Sequence, residues 1–182
     1  MKRKCVILVF GIIIGILIIC FAPWISIFIG TMLLEEPAKP EIVREEFSFT
    51  LVYEINGERK VIEDTLICEF DGIGVDEGRG KYLKWKGELA SGNTNITLWE
   101  GQDKKGRKQE IYYNYAPPGY YMGDPYYEDG NNTNASDVVL RKKSSDGVDV
   151  EFKFISEKKL LQKYNIEIIS WDCEEPIKNV FG

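Results

Sequence analysis

Four carboxylates, Asp76, Glu77, Asp124 and Glu128, are the side chains of this sequence best suited to acid–base work. Two such groups facing one another at about 5 to 9 Å can hydrolyse a glycosidic bond, one as acid and the other as nucleophile or base. The chain contains no histidine. Ser-His-Asp and Cys-His nucleophilic machinery and every His-containing zinc site are thereby excluded. No motif surrounds the four carboxylates, so no catalytic residue is assigned, no cofactor is expected, and the expected class is a binding protein rather than an enzyme. A carboxylate-dependent hydrolase of the cell envelope is the alternative. As metal ligands, Asp124, Glu128 and Asp129 are weak candidates, because with Asn131 and Asn132 around Gly130 their spacing does not match an EF-hand loop.

Aromatic residues offer a better contact surface. Residues 112–134 carry seven tyrosines and three prolines. Tyrosine supplies flat, amphipathic area at small entropic cost, which suits sugar-ring stacking or protein docking. Strand alternation accounts for Tyr113 and Tyr115, so the expected ligand-binding residues are Tyr120, Tyr121, Tyr126 and Tyr127. The glycine-rich stretch 71–80 lacks the lysine and following helix of a phosphate-binding loop and reads as a turn.

The element that locates these residues is an uncharged apolar run over 5–34, directly after Lys2, Arg3 and Lys4. Roughly 20 apolar residues span a bilayer, so the run reads as a single-pass transmembrane signal-anchor. It outlasts a secretory h-region, and Ile19 before Cys20 does not suit a lipidation motif. Pro23 is expected to kink the helix or end its regular part. Three cations before the run and Glu35-Glu36 after it place residues 1–4 in the cytoplasm and the rest outside the cell membrane. Gly11 and Gly15 have the spacing of close helix packing, which allows a further reading as an accessory subunit of a membrane complex.

All 29 acidic residues follow the run, against 20 Lys and Arg, for a formal charge of −9 on residues 35–182. Nucleic acid is therefore not an expected partner, since phosphate binding needs a cationic surface. Residues 35–46, with two prolines and five glutamates, read as a stalk. The composition and short N-terminal tail resemble in type a small membrane-anchored envelope protein, and the expected partner is an envelope protein or a glycan. In that setting the triplets beginning at Asn95, Asn131 and Asn134 are ordinary loop chemistry.

Residues 47–182 read as one β-rich domain, an antiparallel sandwich or barrel with one short helix, α+β being the alternative. Alternation marks strands over 47–53, 61–70, 82–89, 96–99, 109–115, 138–140, 148–155 and 166–173. Asn56-Gly57 and Asp146-Gly147 are hairpin turns. Along 148–155, valine and phenylalanine alternate with Asp149, Glu151 and Lys153, which predicts one wet face. Ser156 caps a helix over 157–164 that ends near Asn165. Cys68 and Cys173 fall on apolar strand faces; outside the cell they could form a disulfide, or remain two buried thiols.

Overall fold

A computed structural model describes residues 2–76, 78, 80–127, 137–144 and 148–182, except for the side chains of 2–14, 16, 149 and 150. The chain divides into two compact units, residues 1–37 with 73–82, and residues 38–72 with 83–182.

The first unit is dominated by α1 (Lys2–Met32), which continues through Pro23 although that residue cannot supply its rung of the hydrogen-bond ladder. Of the two outcomes expected at Pro23, a kink or an end to the regular helix, the second does not occur. The hydroxyls of Ser26 and Thr31 donate to the carbonyls of Ala22 and Phe28, at 2.9 Å each, so neither leaves a polar atom facing outward unbonded. Among the described residues no helix is long and apolar enough to cross a membrane. Of α1, the side chains described are those of residues 15 and 17–32. In the same unit Lys81 Nζ lies 3.4 Å from Glu36, and Gly74 leaves room for the Tyr82 ring.

Among the described residues, the second unit is built from eight strands: β1 (Arg44–Ile55), β2 (Glu58–Asp76), β3 (Gly80–Leu89), β4 (Ile96–Gln102), β5 (Lys108–Asn114), β6 (Asp137–Lys143), β7 (Asp149–Ile155) and β8 (Ile166–Cys173). The ends of β2 and β3 at 73–82 belong to the first unit. Two four-stranded sheets form, in the orders β3-β2-β1-β8 and β4-β5-β6-β7. Read as a ring, consecutive strands are neighbours throughout, as in an up-and-down barrel opened along β3/β4 and β7/β8 into a mainly-β antiparallel sandwich. Among the described residues, α2 (Pro118–Tyr121), a 3-10 turn at Pro125–Tyr127 and α3 (Glu157–Tyr164) follow, the last filling the crossing from β7 to β8.

β1 lies at the centre of its sheet, pairing with β2 from Arg44↔Glu69 to Ile55↔Glu58 and with β8 from Phe49↔Cys173 to Ile55↔Ile166. Its period-two pattern turns Phe47, Phe49, Leu51 and Tyr53 inward. The other sheet meets them with Ile96, Leu98, Ile111, Tyr113, Val138 and Leu140. Burying each such side chain stabilises by about 1.5 to 3 kcal/mol. Across the layers, Tyr113 and Trp171 stack with centroids 4.8 Å apart, and the Tyr53 hydroxyl donates to the Leu98 carbonyl at 3.3 Å.

The turn residues behave as their types require. Asn56 and Gly57 both have positive φ, 54° and 82°, the pairing that a two-residue hairpin favours. Asn165 takes a left-handed conformation (φ 54°) and closes α3, as read from sequence. The Asn165 carbonyl accepts the Asn56 N–H at 3.0 Å, and its side-chain amide donates to Asn56 Oδ1 at 3.2 Å, so one corner is pinned to the other. Ser156 precedes α3 without a side-chain cap bond.

Two expectations shift in detail. Within the segment read as a stalk, Pro40 is buried and bridges Phe181, and β1 already begins at Arg44. On β7 the apolar side chains face out: Val148, beside the strand, is 60% exposed, Phe152 60% and Phe154 66%, while Ile155 fills the core. The register Val138↔Ile155 sets that parity, and a one-residue change would reverse it. The Asp146-Gly147 turn lies outside the described residues.

Candidate functional site

The connection after β5 makes a tight corner. Pro117 and Pro118 start α2, and Gly87 on β3 has no Cβ because the Pro118 ring occupies that space. Gly119 lies between the rings of Trp85 and Tyr127, where a Cβ would come within 2.8 Å and 2.6 Å of them. Gly123, at φ 66°, sits against the Ile177 carbonyl, so the C-terminal segment straps the corner down. The Ile177 N–H completes the strap by donating to the Tyr121 carbonyl at 2.9 Å.

Asp124 holds this corner. Only 6% exposed, it accepts the Trp85 indole N–H at 2.9 Å and the Tyr126 N–H at 3.0 Å, while its own N–H donates to the Gly119 carbonyl at 2.9 Å. A buried carboxylate must be satisfied in this way. Asp76 accepts the Gly78 N–H at 2.8 Å and belongs to the first unit, whereas Asp124 belongs to the second. Glu77, Glu128 and Asp129, with Asn131 and Asn132, lie outside the described residues. Among the described residues no group of three His, Cys, Asp or Glu could hold a metal ion.

The four tyrosines separate by depth. Tyr121 is 3% exposed, packed 5.3 Å from Phe47, and burial pushes its hydroxyl pKa far up. It stays protonated. Tyr120 is half-buried, edge-on to Tyr121 at 5.3 Å. Tyr126 and Tyr127 reach the surface, edge to face at 5.2 Å.

Tyr127 forms one wall of a groove of about 600 Å³. Trp85, Tyr115, Pro118 and Phe154 complete its aromatic and apolar walls, and Asn114 and Asp137 supply an amide and a carboxylate. Burial raises the Tyr115 pKa, keeping that hydroxyl neutral. Its volume falls within the range of small-ligand sites, and flat rings with a few polar groups are the usual lining of such sites. Among the described residues no Lys or Arg lines it.

A second constellation occupies the outer face of the β4-β5-β6-β7 sheet. Glu110 and Arg141 stand opposite each other and form an ion pair, with Arg141 Nε donating at 3.0 Å. Thr97 and Asn95 donate to the other carboxylate oxygen at 2.8 and 3.2 Å. Burial alone would raise the Glu110 pKa, but these donors and the guanidinium outweigh it and hold the carboxyl below its ordinary value. All of its acceptor capacity is engaged, which marks a structural rather than a proton-transferring group.

Cys68 and Cys173 are free thiols. They sit on either side of β1, Cys68 opposite Glu45 and Cys173 opposite Phe49, four positions apart along that strand. Burial pushes the Cys68 thiol up to about 12 and raises Cys173 as well, so neither is a poised nucleophile.

Trp85, Asn114, Asp137 and Phe154 are groove residues that sequence reasoning did not single out. Alternation places Trp85 on an amphipathic strand but carries no information about the proline corner some thirty residues later. Comparison with family models, curated proteins and solved structures finds no match to this chain.

Proposed function

We propose that the chain is a non-catalytic binding protein, held to a membrane by residues 5–34 with its N-terminus inside, that takes up a neutral glycan of the envelope in the groove between Trp85, Tyr115, Tyr127 and Phe154. One observation carries the reading: a concavity of about 600 Å³ joins four aromatic rings to one amide and one carboxylate, with no cation among the described lining residues. Aromatic faces cover the apolar side of a sugar ring, while Asn114 and Asp137 can bond its hydroxyls. The lining described, with Asp137 as its one charged side chain, favours a neutral over a strongly anionic ligand. The engagement of Asp124 and Glu110 in structural bonds supports binding over hydrolysis. For the anchor, the support is the uncharged run over 5–34 behind Lys2, Arg3 and Lys4.

The test titrates the full chain in detergent with neutral oligosaccharides from envelope glycan, following indole fluorescence. Saturable quenching is expected, weakened about tenfold or more by Asn114→Ala and by Tyr127→Ser, since each removes a group worth of order 1 to 2 kcal/mol. Both residues are only partly buried, so the thermal midpoint should hold. Wild-type chain without a saturable response, or variants that bind equally well, would sink the reading.

A further inference from the structure

β7 is the last strand of its sheet, and among the described residues no backbone group of 151–155 bonds outside that sheet. α3, which follows it, packs on β8. The free edge carries Phe152 and Phe154 outward, 60% and 66% exposed, without a proline or a bulge within 151–155 to blunt it. Long apolar edges of this kind are templates for strand addition. The occupant can be read from the charges. Glu151, Phe152 and Lys153 are their own complement when the strand is laid antiparallel on itself. Glu151 already pairs with Lys142 of its own sheet at 2.5 Å, and with Phe152 opposite Phe152 it meets Lys153 of the other copy as well, whereas an arbitrary foreign strand has no reason to supply that pattern.

We propose that β7 pairs antiparallel with β7 of a second copy about a two-fold axis at Phe152, joining the two β4-β5-β6-β7 sheets into one eight-stranded sheet. Glu151 of each copy then faces Lys153 of the other, and the outward Phe152 rings of the two copies meet at the axis, while Phe154 stays a wall of the groove. Such an interface is isologous and closed, so assembly stops at the dimer. Directly opposed pairs of opposite charge stabilise a sheet and like charges destabilise it.

The experiment measures the mass of the full chain in detergent by sedimentation equilibrium, together with its Lys153→Glu variant. A wild-type dimer is expected, with dimerisation at least about tenfold weaker in the variant, because both cross-strand pairs become Glu against Glu. Lys153 is exposed, so an unchanged thermal midpoint shows that the fold persists. A second readout uses Phe152→Cys with Cys5 and Cys20 replaced by Ser: mild oxidation should link two copies through residue 152, while Leu161→Cys on exposed α3 should not. A monomeric wild type, a dimer indifferent to Lys153→Glu, or linkage at 161 equal to that at 152 would overturn the proposal. None of these variants replaces Asn114 or Tyr127, so glycan binding can succeed or fail independently.

Discussion

Glu110 shows how a charged group can stand on a sheet face without becoming reactive. Its carboxylate is bound by Arg141, Thr97 and Asn95, and Arg141 also lies 5.7 Å over the Tyr112 ring. A carboxyl held below its ordinary value of 4.5 in the folded chain contributes stability that is present above that value and lost as pH falls through the lower, folded one. Wild type should therefore lose stability relative to Glu110→Gln as denaturant titrations move from pH 6 to pH 3. Parallel curves across that window would mean the pair contributes nothing to acid sensitivity.

At the scale of elements, local signals and distant contacts divide the outcome. β8 and α3 fall where alternation and the Ser156 and Asn165 signals put them, because capping and turn chemistry act within a few residues. β7 was found in place with Phe152 and Phe154 turned outward, Lys153 exposed beside them and Ile155 in the core. Alternation sets parity along a strand but not which parity faces in, and Phe154 and Ile155 are both apolar; only the register against β6 decides. The groove was legible in part. The tyrosine-rich segment does supply Tyr127, but it is Asp124's bond to Trp85 and the strap over Gly123 that bury Tyr121, and both are long-range. The corner between Asn56 and Asn165 offers a check on these local rules. Asn165→Ala keeps neither the left-handed preference nor the amide bond to Asn56, and should cost about 1 to 2 kcal/mol in chemical denaturation. Asn165→Gly, which restores the backbone freedom alone, should recover about half of that.

For the molecule as a whole, the two ends of the sandwich are fastened together. Lys39 and Gly182 exchange backbone hydrogen bonds at 3.1 and 3.2 Å, the Glu41 N–H donates to Val180, and the Asn179 side chain bonds both the N–H and the carbonyl of Ile42. Deleting residues 178–182 should lower the thermal midpoint by roughly 5 °C, the shift expected when about 1 to 3 kcal/mol is lost from a domain of this size. A midpoint within a degree of wild type would show the clasp to be idle. The pairing of β1 with β8 reaches further, into the order in which the chain can acquire its shape. Phe49 meets Cys173 across more than a hundred residues, so during synthesis the first strand waits beside β2 with one side unclaimed until β8 has emerged. Newly made copies crowded at one site are then at risk of lending that side to each other, and slow emergence of β8 lengthens the exposure.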